Sequence, residues 1–138
     1  MVTETYDVVI VGAGPAGAMA AYLLGQAGCR ALVIEREKLP RYKPCGGAIP
    51  EGVFATLPDA CAQAIERRVT QVRFLLHGNG EATHMLQSGA VAMVMRDRFD
   101  ALLLAQARAT VHDGESVTGI EEGPSGVIVR TTRGDTYY

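Results

Sequence analysis

A short glycine-rich segment places the tightest constraint on the fold of this chain. Four β-branched residues, Val8–Val11, run directly into Gly12-Ala13-Gly14-Pro15-Ala16-Gly17, which has the spacing GxGxxG. An unbroken β-branched run is typical of a strand that is buried on both faces of a parallel sheet. We therefore predict a strand over 6–11 and a helix over 15–27, with a proline near its start and a glycine past its end. A second apolar strand over 30–35 completes a βαβ unit.

The spacing of the three glycines indicates a dinucleotide site between the first strand and the helix. Gly12 permits the sharp turn, Gly14 leaves room for a diphosphate beside the backbone, and Gly17 allows close packing of helix and strand. The unpaired amides and the positive end of the helix dipole then face the phosphates. Glu35 ends the second strand, where its carboxylate can accept hydrogen bonds from both ribose hydroxyls and would repel the 2′-phosphate of NADP. The alternative is a glycine turn without a ligand, with Glu35 as a surface acid.

The composition argues against several other classes of protein. The 138 residues have a net charge of -2 and are 48% hydrophobic, which indicates a globular domain and offers no general electrostatic surface for nucleic acid. The uncharged stretch 8–29 contains glycines and a proline, and acidic residues precede it, so we predict neither a membrane span nor a signal peptide. Three cysteines without a CxxC pair favour reduced thiols, and no histidine lies at ligand spacing from them. We therefore expect a cytoplasmic protein without a metal site.

The rest of the sequence predicts a mixture of short helices, strands and turns. Residues 36–47 form a basic loop with two prolines and a Gly-Gly pair. Asp97 is expected to cap a helix that has an apolar face. The predicted elements are helices over 49–57, 59–68 and 97–109, and strands over 69–76, 82–95, 110–112, 117–121 and 126–132, with a turn at Gly78-Asn79-Gly80.

Four segments of the chain together resemble a known family. They are Gly12 to Gly17, Glu35-Arg36, Arg41-Tyr42-Lys43-Pro44-Cys45-Gly46-Gly47, and Arg96-Asp97-Arg98-Phe99-Asp100-x-x-Leu103. The combination is similar to the N-terminal portion of the FAD-dependent flavoprotein hydroxylase (para-hydroxybenzoate hydroxylase-like) superfamily. Within that superfamily it most resembles the geranylgeranyl reductase family, for which the Lys-Pro-Cys-Gly-Gly loop is the more specific part.

The resemblance implies an α/β fold. It would be a Rossmann-like FAD-binding domain that opens with the βαβ unit, joined to part of an antiparallel substrate-domain sheet and a β-meander. The implied division is a FAD-binding unit with its following helices over 1–68, partial substrate-domain strands over 69–95, and a return to the FAD-binding domain over 96–138. The family's chains run to several hundred residues, so we expect weak retention of FAD and no turnover from these 138 residues alone.

The resemblance also implies a set of cofactor-binding residues. FAD would lie extended, with its adenosine on Glu35, its diphosphate at the helix that begins after Gly14, and the backbone near Val117 against the adenine. Residues 45–48 would lie along the ribityl chain and the isoalloxazine, and Arg96 would reach the flavin chain. The complete set of implied residues is Gly12, Gly14, Pro15, Ala16, Gly17, Glu35, Arg36, Arg41, Cys45, Gly46, Gly47, Ala48, Arg96 and Val117.

The charge of the loop over 36–43 favours an anion site on its own terms. The loop carries four basic residues and one acid: Arg36, Lys38, Arg41 and Lys43 against Glu37. Such a loop suits the flavin diphosphate or the anionic head of a substrate. For Lys38 and Lys43 a solvated basic face is the alternative.

The function implied by the resemblance is that of an FAD-dependent oxidoreductase that reduces isolated C=C bonds of an isoprenoid or geranylgeranyl group. Cys45 is the one catalytic candidate, as a thiol beside the flavin; nothing in the sequence indicates a lowered pKa, and a small packing residue is the alternative. NAD(P)H is left open as the electron donor, and the substrate as a small molecule or a lipid, which would bring peripheral membrane contact. The alternative functions are an aromatic monooxygenase of the same superfamily and a non-catalytic dinucleotide-binding module.

Overall fold

The fold is that of a computed structural model, which describes residues 3–78, 80–85 and 91–138. The helices are α1 (Pro15–Gln26), α2 (Glu51–Phe54) and α3 (Arg96–Leu104), with a 3₁₀ helix over Asp59–Ala64. The strands are β1 (Thr3–Glu4), β2 (Val8–Val11), β3 (Ala31–Glu35), β4 (Ala48–Pro50), β5 (Ile65–Val69), β6 (Gln71–Leu76), β7 (Gly80–Met85), β8 (Val91–Val94), β9 (Ala109–Asp113), β10 (Val117–Gly123), β11 (Gly126–Thr131) and β12 (Thr136–Tyr137). Within the described residues, no helix has the length and apolar character needed to span a membrane.

The predicted βαβ unit consists of β2, α1 and β3, and its two strands belong to a parallel sheet in the order β2-β3-β9. Val11 pairs with Ile34, and Glu35 pairs with Asp113, so the carboxyl ends of the three strands lie at one edge. Gly12 follows β2 at the same edge. In open α/β sheets this edge is where ligands bind. The predicted βαβ start is confirmed.

The two faces of β3 pack into different layers, because alternate side chains of a strand point to opposite sides. All five residues of β3 are buried. Val33 packs in the core formed with α1 and α3, which includes Phe99. Leu32 and Ile34 pack in a second core that includes Tyr137. Because both faces of β3 are buried, its sequence is apolar without polar alternation from Ala31 to Ile34.

An antiparallel meander of β10, β11 and β12 supplies the second core, and β1 extends it by pairing with β12. Tyr137 is fully buried there, with its ring edge-on to Tyr6 at a centroid distance of 6.1 Å. Its hydroxyl lies 2.8 Å from Nδ1 of His112. Burial, together with nearby acids of which Glu115 acts most, raises the pKa of Tyr137 to about 12. The hydroxyl is therefore protonated at neutral pH.

A second antiparallel sheet has the order β4-β8-β5, and β6 and β7 form a separate hairpin. β4 and most of β5 precede the predicted substrate-domain segment 69–95, yet both strands pair with β8 inside it. The division of the chain at 68 and 95 stays a prediction.

Two predicted helices are partly wrong, both because of pairing with β8. The segment 49–57 is helical only over Glu51–Phe54, since Ala48–Pro50 forms β4. The segment 59–68 divides into the 3₁₀ helix and β5. A short helix gains little stability from its own backbone hydrogen bonds, so sheet pairing prevails in these segments.

The helix predicted over 97–109 is α3, which begins at Arg96 and ends at Leu104. The capping role predicted for Asp97 is wrong: Met95 is the N-cap residue, and its side chain makes no capping hydrogen bond. Asp97 lies in the first turn instead, where Oδ1 accepts a hydrogen bond from the Arg98 amide at 2.8 Å and the helix dipole favours the negative charge. The strand predicted over 82–95 corresponds to part of β7 and to β8, while 86–90 and Asn79 lie outside the described residues.

Candidate functional site

The turn between β2 and α1 depends on two glycines. Gly12 has a φ of 101°, in the region that favours glycine. A Cβ on Gly17 would lie 2.0 Å from the carbonyl oxygen of Gly12, which is closer than atoms can approach. Only a glycine at position 17 therefore lets α1 pack directly against the end of β2, as the GxGxxG spacing predicts.

In the first turn of α1, the backbone amides have no carbonyl within the helix to which they can donate a hydrogen bond. Gly14 is the extended N-cap residue and carries no side chain. Pro15 has no N–H, so the amides of Ala16 and Gly17 are the first donors. Together with the positive end of the helix dipole, these amides favour an anion at the start of α1.

Two guanidinium groups face Gly14. A Cβ built on this residue would lie 3.6 Å from Nη2 of Arg41 and 4.0 Å from Nη2 of Arg96. A side chain at position 14 would therefore occupy the space beside the two arginines. Bare backbone, a helix N-terminus and two cations together match the charge and the oxygen acceptors of a diphosphate.

Asp100 binds both arginines. Its Oδ1 accepts a hydrogen bond from Nε of Arg96 at 2.8 Å, and its Oδ2 accepts one from Nη2 at 3.0 Å. Oδ2 also lies 3.0 Å from Nη1 of Arg41. Asp100 is 2% exposed and the Arg41 side chain 10%, so water screens these charges little. Asp100 had no predicted role, although it follows Arg96 by four residues, the spacing at which an acid and a base pair on a helix.

Glu35 is buried at the end of β3, where its carboxylate accepts two backbone hydrogen bonds. Oε2 takes the amide of Ala13 at 2.8 Å, and Oε1 takes the amide of Glu37 at 3.1 Å. Burial by itself raises the pKa of Glu35, but the two amides and the charges of Arg41 and Arg36 outweigh it and hold the pKa below its usual value. Glu35 is therefore ionised at neutral pH, and a carboxylate with two bonds retains lone pairs for further donors.

An open cavity of about 780 Å³ joins Glu35 to Gly14 and the arginines. Its volume lies within the range of small-molecule and cofactor sites. The predicted cofactor residues that line it are Gly12, Gly14, Glu35, Arg36, Arg41, Arg96 and Val117.

A neighbouring cavity of about 390 Å³ has mostly apolar walls, with Met19, Leu57 and Phe99 among them. The predicted cofactor residues that line it are Pro15, Ala16, Cys45, Gly47, Ala48 and Arg96. Arg96 is thus shared by both cavities. Gly17 and Gly46 line neither of the two, and Gly17 acts through packing instead.

Cys45 is exposed and has an environment that the sequence did not reveal. Its Sγ accepts a hydrogen bond from the Gly47 amide at 3.4 Å. This bond, and then the Arg96 side chain, lowers the pKa of the Cys45 thiol. Position 47 requires glycine, because its φ is 69° and a Cβ there would lie 2.1 Å from the carbonyl oxygen of Val94.

The basic loop does not form one continuous anion-binding surface. Lys38 turns away from the larger cavity, and its Nζ donates to Oδ1 of Asp113 at 2.7 Å. Nε of Arg36 lies 3.5 Å from Oε1 of Glu37. Arg36, Arg41 and Lys43 line the larger cavity, whereas Lys38 does not. An anion site on this loop stays a prediction.

Comparison with known proteins identifies the family. Residues 5–136 match the family described as FAD binding domain. The chain belongs to this family. The match extends across the glycine turn, both arginines and the meander, so the cavities described above lie within the matched part of this FAD-binding domain.

Two curated relatives are both named geranylgeranyl diphosphate reductase. The geranylgeranyl diphosphate reductase of Rhodobacter capsulatus is 34% identical over 116 residues, which cover 83% of this chain and 28% of that protein. The chloroplastic geranylgeranyl diphosphate reductase of Arabidopsis thaliana is 38% identical over 116 residues, which cover 78% of this chain and 24% of that protein. The predicted resemblance is confirmed. The part of this chain that matches spans only about a quarter of the length of each reductase.

A solved structure of similar fold is a geranylgeranyl bacteriochlorophyll reductase-like protein from Thermoplasma acidophilum. Its TM-score is 0.80 at 21% identity, over 99% of this chain and 37% of that one. At this identity the likeness shows the fold. The predicted Rossmann-like α/β class, with its antiparallel sheets, is confirmed.

Proposed function

We propose that this domain binds FAD in an extended conformation, with the diphosphate beside Gly14. The observation that carries the proposal is that Arg41 and Arg96 both direct a guanidinium nitrogen at the space a Gly14 side chain would fill. A diphosphate in that space would also accept hydrogen bonds from the amides of Ala16 and Gly17. Family membership supports FAD as the dinucleotide.

The direction of the cofactor follows from what lies on each side of the arginines. Glu35 and Val117 line the larger cavity, so adenosine belongs there, with its ribose hydroxyls donating to Glu35. Arg96 also lines the apolar cavity, whose walls include Cys45, Gly47 and Ala48. The flavin end therefore points toward these residues. This orientation is the one implied by the sequence resemblance.

We further propose that the protein carrying this domain is an oxidoreductase that reduces isolated C=C bonds of an isoprenoid chain. The identities of 34% and 38% to two proteins named geranylgeranyl diphosphate reductase support this reaction. Once reduced by two electrons from a donor, bound FAD would supply a hydride equivalent to one carbon of the double bond, while the other carbon gains a proton. The residues of the two cavities would bind and orient the cofactor. NAD(P)H is the proposed source of electrons.

The test uses the protein that carries this domain, loaded with FAD and kept free of oxygen. Geranylgeranyl diphosphate is added with NADPH, NADH or dithionite, and products are followed by mass spectrometry. We expect a gain of two hydrogens for each double bond reduced. A second reaction, run in air with a phenol as substrate and NADPH or NADH as donor, would identify the monooxygenase alternative if the phenol gains a hydroxyl group. FAD binding with neither reaction would favour the non-catalytic module.

A further inference from the structure

The segment 36–40, which leads from Glu35 to Arg41, is tied to the end of β9 by the side chain of Asp113. Oδ2 accepts a hydrogen bond from the Leu39 amide at 2.9 Å. Oδ1 accepts one from Nζ of Lys38 at 2.7 Å. We name Asp113 with these two partners the Asp113 clamp.

Backbone contacts reinforce the Asp113 clamp on both sides. The Gly114 amide donates to the carbonyl of Glu37 at 3.2 Å, and the Glu115 amide donates to the carbonyl of Glu35 at 3.0 Å. The stem of Lys38 lies across Gly114, where a Cβ would come within 2.8 Å of Cε. The segment is therefore held at several points along its length.

The position of Asp113 explains why it can affect the dinucleotide site without lining the cavity. It pairs with Glu35 across β9 and β3, and it contacts the residues that precede Arg41. Arg41 then reaches Asp100 at 3.0 Å, and its Nη2 lies 3.6 Å from the place that a Cβ on Gly14 would occupy. A shift of the segment would move the Arg41 guanidinium relative to Gly14.

We propose that Asp113 is a positioning residue for the dinucleotide site, which sets the course of 36–40 and thereby the place of Arg41 beside Gly14. The inference rests on the proposed function in that FAD is the ligand whose diphosphate Arg41 contacts. The hydrogen bond from the Leu39 amide and, to a smaller extent, the one from Lys38 lower the pKa of Asp113. The Asp113 carboxylate is therefore ionised at neutral pH.

The first experiment measures FAD affinity by fluorescence titration of the chain and its variants. We expect Asp113→Ala to weaken FAD binding about tenfold, as expected for losing a hydrogen bond to a charged acceptor. Asp113→Asn keeps an oxygen for the Leu39 amide and should restore most of the affinity. The matched control is Glu121→Ala, which removes an exposed carboxylate paired with Arg130 and should change affinity less than about twofold.

A double-mutant cycle separates positioning from a general loss of structure. If Asp113 acts through Arg41, then Asp113→Ala should add no further loss to Arg41→Ala. Full additivity of the two losses would overturn the proposal, and so would an affinity of Asp113→Ala equal to that of the unchanged chain.

Hydrogen exchange of the ligand-free chain tests the clamp without FAD. The Leu39 amide should exchange about tenfold faster in Asp113→Ala and at the unchanged rate in Glu121→Ala. If the unchanged chain binds no FAD, the proposed function fails, while protection of Leu39 still decides whether the clamp exists. If Asp113→Ala does not fold, Asp113→Thr takes its place, since it keeps a β-branched residue at the end of β9 but has no carboxylate. Unchanged Leu39 exchange together with unchanged FAD affinity in that variant would contradict the inference.

Discussion

Nη1 of Arg41 lies 3.0 Å from Oδ2 of Asp100, although the two residues belong to a loop and a helix far apart in the sequence. Asp100 binds Arg96 through its other contacts, so one buried carboxylate holds both cations that face Gly14. Two guanidinium groups close together repel each other, and an acid between them offsets that repulsion. Asp100 therefore assembles the cationic side of the proposed diphosphate site.

Removal of Asp100 should damage both stability and binding. Asp100→Ala leaves two mostly buried cations without their acid, and we expect a loss of about 3 kcal/mol in the free energy of unfolding, measured with urea. FAD affinity should fall as well, because the arginines lose their positions. The control on the same helix is Asp97→Ala, which removes a partly exposed acid in the first turn and should cost less than about 1 kcal/mol. Equal losses in the two variants would contradict the role of Asp100.

Two neighbouring glycines should separate folding from binding. Gly17→Ala forces a Cβ against the carbonyl oxygen of Gly12, so we expect it to destabilise the chain by about 3 kcal/mol in thermal or urea unfolding. Gly14→Ala meets the ends of two side chains, Arg41 at 3.6 Å and Arg96 at 4.0 Å, and should cost less than about 1 kcal/mol. The same change should weaken FAD binding by at least about tenfold, equivalent to about 1.4 kcal/mol. Normal FAD affinity in Gly14→Ala would show that the diphosphate lies elsewhere.

Glu35 should make stability depend on pH in the acid range. Its pKa is lowered in the folded chain, so the ionised form stabilises the fold above the ordinary pKa of about 4.3. That contribution is lost as the pH falls through the lowered, folded-state value. We expect urea midpoints to decline less between about pH 5 and pH 2 in Glu35→Gln than in the unchanged chain. Identical declines would mean that the Ala13 and Glu37 hydrogen bonds contribute no pH dependence.

Cys45 should be the most reactive of the three cysteines. The Gly47 amide and then Arg96 lower its pKa, while burial raises the pKa of Cys61. Alkylation by iodoacetamide at pH 7.5 should therefore label Cys45 before Cys61, as read by peptide mass spectrometry. In Arg96→Met the midpoint of the pH profile for Cys45 should move upward. An unchanged profile would exclude Arg96 as a cause of the lowered pKa.

The parts of the site that could be predicted from the sequence are those set by neighbouring residues. The β-branched run, the glycine spacing and the place of Glu35 at the end of a strand all depend on local geometry, and the structure has them where they were expected. The predicted helix over 97–109 also put Arg96 directly before a helix, and α3 begins at Arg96 itself. Each of these features depends on contacts within one supersecondary unit.

The parts that could not be predicted depend on contacts between distant segments. The pairing of β4 and β5 with β8 converts predicted helices into strands. Lys38 has the charge of an anion-binding residue, but its Nζ contacts Asp113, a residue from another strand. The Gly47 amide contributes most to the lowered pKa of Cys45, but a further part comes from Arg96, which only the folded chain brings near. Charge and spacing alone do not identify such partners.

The most direct test of the central claim is an amide NMR titration of the isotope-labelled chain with FAD and, separately, with ADP. If the diphosphate rests on the first turn of α1, the amides of Gly14, Ala16 and Gly17 should show the largest shift changes with both ligands. Arg41→Ala should reduce those changes at equal ligand concentration. Shift changes confined to other parts of the chain, with these three amides unaffected, would contradict the account.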